Sequence, residues 1–161
     1  MSTQTAGPGP ARLPGPARLR CKCGTVSLAF TKPALFGLEC GCCDCRQARE
    51  FEASRGGPHT TSPLSRLYYF LNDVLPPPEG LWSKLELTQL RDHCKSTRLL
   101  ATCCRSTLAV DHPGYLGNVV MVPVDCCDID EVLELEPPTA RIYMGDWPLE
   151  TEGPPPLTGG W

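Results

Sequence analysis

The chain has no long hydrophobic run and no hydrophobic segment at its start. A transmembrane helix needs a run approaching ~18 apolar residues, so we expect no membrane span. The missing hydrophobic start predicts no secretory signal, and therefore a reducing compartment such as the cytoplasm. Clustered thiols in such a compartment are more typical of metal ligands or catalytic groups than of disulfides.

Basic residues are too sparse to form a dense stripe interleaved with aromatic residues. Such a stripe is the usual footprint of a nucleic-acid-binding surface, so we expect no nucleic-acid partner. Residues 1–19 contain no acid and are rich in Pro, Gly and Ala. This composition buries too little apolar surface to offset the entropy of ordering and predicts a disordered tail. Organellar targeting by this acid-free start is the other interpretation.

Residues 20–145 form the predicted domain, and a second Pro/Gly-rich flexible tail is expected over 146–161. Helical patterns in the domain are limited to 46–53 and 129–135. Apolar and polar residues alternate with a period of two over 25–30 and 84–88, and residues 67–71 are aromatic and apolar. Further short candidate strands lie at 98–101, 107–110, 118–124 and 140–144. Short strands separated by Pro and Gly predict a mainly β domain with little helix.

Cysteine, in contrast, is abundant. The chain has 11 cysteines in 161 residues, about 7%, which is below the ~8–10% typical of disulfide scaffolds. An odd number cannot pair completely within one chain. The densest segment is LECGCCDCRQ, residues 38–47, with four cysteines. A disulfide cluster, a redox site and a metal site are the three interpretations to compare.

The spacing favours two zinc sites. Zinc prefers four tetrahedral ligands, and short spacings let one turn supply several thiolates. Cys21 and Cys23, followed by a glycine that suits a tight turn, need partners from elsewhere, and Cys103 and Cys104 can provide them.

A separate C-x-C-x-x-C triplet consists of Cys40, Cys42 and Cys45. Three thiolates leave one tetrahedral position open, which distinguishes a catalytic zinc from a structural one. An open zinc can bind an incoming thiol and lower its pKa. The triplet therefore predicts a catalytic centre.

Three stretches resemble a known family: RCKCGTVSLAF, CGCCDCRQ and RLLATCCRSTLAV, within about residues 20–125. They look like the glutathione-dependent formaldehyde-activating enzyme and centromere protein V family. That family shows C-x-C-G, C-x-C-x-x-C-R and F-C-x-x-C-G. The first two motifs are complete here. In the third, aligned on Cys104, Ala101 stands in the place of the first cysteine and Arg105 in the place of the glycine.

The resemblance implies a zinc-bound, Mss4-like β-fold. Its structural zinc would be held by Cys21, Cys23 and Cys104, with Cys103 as fourth ligand, and its catalytic zinc by the triplet. The implied function is a zinc-dependent carbon–sulfur lyase acting on a thiol–aldehyde adduct such as S-hydroxymethylglutathione, with glutathione and formaldehyde as partners. The alternative is a non-catalytic zinc-stabilised interaction module, similar to centromere protein V.

The remaining chemistry-bearing residues have simpler interpretations. Cys43 is expected to be a free or packed thiol between ligands. Cys126 and Cys127 lie outside every motif and are interpreted as structural. His93 with Cys94 is an alternative source of the ligand missing at position 101, and His112 is interpreted as a turn residue. A thiol redox protein using Cys103 and Cys104 is a third function class, but it leaves the triplet unexplained.

Overall fold

The computed structural model describes residues 17–129, 135 and 137–147. Within them the chain is mainly β, as the alternating pattern predicts. The strands are β1 (Ala17–Cys21), β2 (Ser27–Phe30), β3 (Phe36–Cys40), β4 (Ser65–Leu71), β5 (Val74–Leu75), β6 (Leu85–Thr88), β7 (Thr97–Ala101), β8 (Thr107–Asp111), β9 (Val119–Pro123), β10 (Cys127–Ile129) and β11 (Arg141–Ile142). The α-helix of the described residues is α1 (Cys43–Ser54), and 3₁₀ turns cover Trp82–Lys84, Pro113–Tyr115 and Met144–Asp146.

The strands form two sheets. The small sheet has the order β10-β1-β2-β5, and the large sheet has the order β11-β3-β4-β9-β8-β7-β6. Neighbouring strands are antiparallel, except that β11 runs parallel to β3. Because side chains alternate between the two faces of a strand, each face of the large sheet carries its own apolar cluster.

The larger cluster, the inter-sheet core, lies between the two sheets. It contains Ala17, Leu19, Cys21, Val26, Leu28, Phe30, Tyr68, Phe70, Ala101, Leu108, Val120, Val122 and Cys127. The second cluster, the outer core, lies on the opposite face of the large sheet. It contains Leu38, Cys40, Leu67, Tyr69, Val110 and Met121, with Cys42, Cys45, Tyr115, Val119 and Ile142 packed against it.

Strand β4 contributes to both clusters. Tyr68 and Phe70 enter the inter-sheet core, where the Phe70 ring stacks on Phe30 with centroids 4.6 Å apart. Tyr69, between them, belongs to the outer core. A residue with a Cβ at Gly37 on the neighbouring strand would approach Tyr68 Cε1 to 2.5 Å. Only glycine lets β3 lie this close to the Tyr68 ring.

The expected boundary of the N-terminal tail at residue 19 is wrong. Strand β1 begins at Ala17, opposite Phe30, and Leu19 lies opposite Leu28. Ala17 and Leu19 are 2% and 1% exposed. Burial of alternate residues and pairing with β2 override the Pro/Gly/Ala-rich composition of the segment. Residues 1–16 and 148–161, which carry most of both predicted tails, lie outside the described residues.

Other boundaries shift as well. Helix α1 begins at Cys43 rather than at residue 46, because Cys42 caps it. The strand predicted over 140–144 shortens to Arg141–Ile142, and the 3₁₀ turn that follows includes Asp146, so the domain extends beyond residue 145. Ile129, where a helical turn was predicted, lies in β10, and residues 130–134 lie outside the described residues. In the described part of the chain, every helix is too short or too polar to cross a membrane.

Candidate metal centres

The four cysteines of the predicted structural site come together in one cluster. The Sγ atoms of this quartet, Cys21, Cys23, Cys103 and Cys104, all lie within 4.8 Å of one another. Cys23 Sγ is 3.5 Å from Cys21 Sγ and 3.3 Å from Cys103 Sγ. Four sulfurs this close form a set that could hold a metal ion.

The first half of the quartet comes from the turn between β1 and β2. Gly24 has φ +75°, a left-handed conformation that glycine adopts without steric cost, and its N–H donates to the Cys21 carbonyl at 2.8 Å. The Val26 N–H donates to Cys21 Sγ at 3.2 Å. A sulfur that accepts a backbone N–H is better suited to carry negative charge. The glycine after Cys23 therefore makes the turn that the sequence predicts.

The second half comes from the turn between β7 and β8. Neighbouring residues on a strand point to opposite faces, but Cys103 and Cys104 lie in a turn rather than a strand. The Arg105 N–H donates to the Ala101 carbonyl at 2.9 Å, and Arg105 has φ +55°. Bending of the backbone lets both neighbouring sulfurs reach one site. Ala101, in contrast, is fully buried in the inter-sheet core. The family motif has a cysteine at this position, but an alanine side chain cannot be a metal ligand.

The triplet forms where β3 passes into α1. Cys40 is the last residue of β3, Cys42 is the N-cap of α1, and Cys45 lies in its first turn. The Cys45 N–H donates to Cys42 Sγ at 3.4 Å. All three Sγ atoms lie within 4.8 Å of one another. The C-x-C-x-x-C spacing thus brings together one strand end and one helical turn, and the three sulfurs could hold a metal ion.

Crowding gives the three thiols of the triplet different acidities. Hydrogen bonding with Cys40, and then with Cys45, lowers the pKa of Cys42. Hydrogen bonding with Cys40, and then with Cys42, raises the pKa of Cys45, and hydrogen bonding with Cys42 raises the pKa of Cys40. One thiolate forms readily, whereas further thiolates repel each other. A divalent cation would relieve this repulsion, so the donor set fits a metal ion.

The triplet opens onto a cavity of about 360 Å³. Its walls include Tyr69, Tyr115 and His112, together with Arg91 and Asp44. The hydroxyls of Tyr69 and Tyr115 are 3.4 Å apart, and their rings meet edge to face at 5.8 Å. The guanidinium of Arg91 binds the Asp44 carboxylate at 2.7 Å, which balances these two charges at the cavity wall.

The aromatic wall is the part of the site that sequence reasoning missed. Tyr69 lies on β4, and Tyr115 lies in a 3₁₀ turn, so no local motif connects them. His112 caps that turn, because its Nδ1 accepts the Gly114 N–H at 3.0 Å. The interpretation as a turn residue matches this position, yet the ring also lines the cavity.

Helix α1 is held on the large sheet by buried polar contacts. Glu52 is 2% exposed, and it accepts a hydrogen bond from the Thr107 hydroxyl. Burial raises the pKa of the Glu52 carboxyl. Near the start of the helix, Arg98 donates to the Asp44 carbonyl at 3.5 Å. These contacts fix the helix turn that carries Cys45.

The other cysteines lie outside both sulfur sets. Cys43 is exposed, and all eleven cysteines are free thiols. Cys94 is buried with its Sγ 3.9 Å from an Asp44 carboxylate oxygen, so it does not join the quartet. Cys126 and Cys127 are 2% and 1% exposed. Cys127 belongs to the inter-sheet core, which agrees with a structural interpretation.

Comparison with known proteins adds no relative: no family model matches the chain, and no curated protein matches it.

Proposed function

We propose that the chain binds two zinc ions and acts as a carbon–sulfur lyase-type enzyme on an adduct of a thiol and an aldehyde, such as S-hydroxymethylglutathione. The observation that carries this proposal is the cavity beside the triplet. Three sulfurs face about 360 Å³ of open space, enough for a ligand sulfur and a small aldehyde. A purely structural site has no need of such a space.

Zinc is the metal that suits both sets. Sulfur ligands favour soft or borderline metal ions, and four-thiolate sites are typical of structural zinc. The quartet supplies four sulfurs and the triplet three. On this proposal the quartet is closed, whereas the triplet leaves one position for a ligand from the cavity.

The resemblance to the formaldehyde-activating family supports the choice of reaction. Both complete motifs fall in the two sulfur sets. At position 105, where the family has glycine, the backbone has φ +55°, a conformation that glycine favours. The shape of this turn is thus compatible with the family motif, although the side chain differs.

The chemistry needs no oxidant or reductant. In the condensing direction a carbon–sulfur bond forms between the thiol and the aldehyde carbon, the sulfur loses its proton, and the carbonyl oxygen gains one. When bound, zinc would lower the pKa of the incoming thiol and hold it as thiolate. The reverse direction breaks the same bond and releases thiol and aldehyde.

The chain's own residues orient the aldehyde. Burial raises the pKa of Tyr69, so its hydroxyl keeps its proton. The Tyr69 hydroxyl can accept a hydrogen bond from the Tyr115 hydroxyl 3.4 Å away and donate its own proton to the aldehyde oxygen. Aromatic walls also limit access of water to the reacting carbon.

The test is titration of glutathione into three proteins, with zinc content measured in parallel. Wild type is expected to bind at about millimolar concentration or below, and Cys42→Ser to lose both one zinc and the binding. Cys43→Ser is the matched control and should behave like wild type. If wild type holds zinc at the triplet yet binds no thiol, the fourth position is closed. In that case the proposal of a zinc-stabilised interaction module replaces the proposal of an enzyme.

A further inference from the structure

The small sheet leaves part of the large sheet bare. On β6 and β7, Leu87 lies opposite Leu99, and Leu99 lies opposite Ala109 on β8. Leu87 is 71% exposed, although it belongs to the apolar row that continues into the protein. The row ends beside Leu28 and Val120 of the inter-sheet core. Apolar surface therefore continues past the edge of the small sheet.

The segment between β5 and β6 contributes walls to a cleft of about 380 Å³ on this surface. Val74 and Pro77 line it, and so does Trp82, which is 62% exposed. The volume lies within the ~300–1,000 Å³ typical of small-molecule sites. Apolar walls with an aromatic side chain at the opening favour a ligand with an apolar body.

A single charge lines the cleft. Asp111, at the end of β8, lies opposite Thr97, and both residues line the cleft. The lining includes no lysine, arginine or histidine. Within the described residues, Asp111 forms no ion pair. An uncompensated carboxylate beside apolar walls is complementary to a cation.

We propose that this cleft binds a small organic cation, namely a protonated amine on an apolar or aromatic body. The body would pack on Leu99 and Ala109, where removal of apolar surface from water is favourable. The ammonium would meet the Asp111 carboxylate in a charge-assisted hydrogen bond. Trp82 adds the face of an indole ring, the best aromatic partner for a cation.

This site is independent of the proposed thiol chemistry. The cleft opens from the inter-sheet core, whereas the triplet belongs to the outer core on the opposite face of the large sheet. The two cavities share no lining residue. Loss of metal from the triplet should leave amine binding unchanged.

The probe is 2-phenylethylammonium, compared with 2-phenylethanol and 3-phenylpropionate, titrated into the zinc-loaded full chain and followed by amide and indole NMR shifts. The ammonium should shift Thr97, Leu99 and the Trp82 indole, and the uncharged alcohol should bind roughly fivefold to tenfold more weakly. The carboxylate should bind weakest. Asp111→Asn should reduce ammonium affinity to that of the alcohol and leave alcohol affinity unchanged.

The matched control is Asp92→Asn, which removes an exposed acid that does not line the cleft. It should leave the ammonium affinity at the wild-type value. Equal binding of the three probes, or an Asp111→Asn variant that binds the ammonium as wild type does, would overturn the proposal. Absence of any shift would overturn it too. So would concentration-dependent dimerisation that protects β6 amides from exchange, because a second copy would then cover the cleft.

Discussion

The two sulfur sets differ in how the chain builds them. In the quartet, Cys21 and Cys103 are 82 positions apart in the sequence, yet their sulfurs lie 3.7 Å apart. One hairpin of the small sheet and one of the large sheet must meet for this set to exist. The triplet, in contrast, comes from the six residues 40–45, which join one strand to one helix.

That difference assigns different roles. A metal ion in the quartet would tie the two sheets together beside the inter-sheet core, so its binding free energy would be folding free energy. The triplet lies on the other face of the large sheet, next to a cavity, and its three ligands are already close in sequence. Its metal can be lost with a smaller loss of stability. On the proposed function, the quartet would support the fold and the triplet would carry the chemistry.

Breaking the quartet should have the largest effect. We expect Cys21→Ser to abolish the cooperative melt, because the ~10–16 kcal/mol of a structural zinc site is comparable to the whole stability of a domain. The matched control is Cys127→Ser, the cross-strand neighbour of Cys21 with similar burial. It should keep full zinc and lose about 1–2 kcal/mol. Calorimetry and metal analysis measure both effects. Equal effects in the two variants would contradict a structural role for the metal of the quartet.

Breaking the triplet should cost less. Cys45→Ser should lose one zinc ion and still melt cooperatively, because the quartet remains. Its melting temperature is expected to lie below that of wild type. Cys43→Ser, next to the ligands but exposed, should match wild type in both measurements. An unfolded Cys45→Ser protein would mean that the triplet also holds the fold together.

The buried anchor of α1 gives a pH-dependent prediction. The pKa of Glu52 is raised by burial, so the folded state holds this proton more tightly than the unfolded state. Stability from this group is present below the ordinary carboxyl pKa and is lost as the pH rises through the folded value. Glu52→Gln should therefore gain stability relative to wild type as the pH rises from the ordinary carboxyl range through the raised pKa of Glu52.

The control for this prediction is Glu50→Gln, an exposed acid on the same helix. Its stability relative to wild type should stay constant over that range. Measuring differences from wild type removes the pH dependence that metal binding gives to all three proteins. A Glu52→Gln difference that does not vary with pH would contradict the burial argument.

The smallest effect is expected in the quartet's second turn. Arg105→Gly removes a side chain from a left-handed conformation, which should stabilise the turn by about 1 kcal/mol. It also removes the Arg105–Glu86 ion pair at 2.9 Å, a partly exposed contact worth ~0–1 kcal/mol. Net stability should change by less than about 1 kcal/mol. The control Glu86→Gln measures the contribution of the ion pair to stability separately. Loss of zinc in Arg105→Gly would contradict this account.

Much of this arrangement could be predicted from local patterns. Alternation locates β2 and β6, because half-buried strands repeat every two residues, and short apolar stretches locate β4, β7 and β8. Short cysteine spacings identify the triplet and the first half of the quartet. Whether Cys103 belongs to the quartet depends on the turn conformation at Arg105, and the cysteine spacing alone does not determine that conformation.

Other features depend on contacts that are distant in sequence. Strand β1 is obscured by its composition, and the burial of Ala17 and Leu19 follows from pairing with β2. The apolar pattern of β3 is interrupted by Gly37. A glycine is needed there because the neighbouring Tyr68 ring leaves no space for a Cβ. The aromatic wall forms because tertiary packing places Tyr115 against Tyr69 of β4. Sequence patterns cannot show such proximity.

The most direct test of the central claim, one closed and one open site, is optical absorption of the protein loaded with cobalt in place of zinc. Quartet and triplet together supply seven sulfur ligands, four and three. Added glutathione should raise the sulfur-to-cobalt charge-transfer absorption by roughly one-seventh, as the triplet gains its fourth sulfur. Cys43→Ser should show the same rise, and Cys42→Ser should show none. An unchanged spectrum in wild type, with two cobalt ions bound, would contradict the open site.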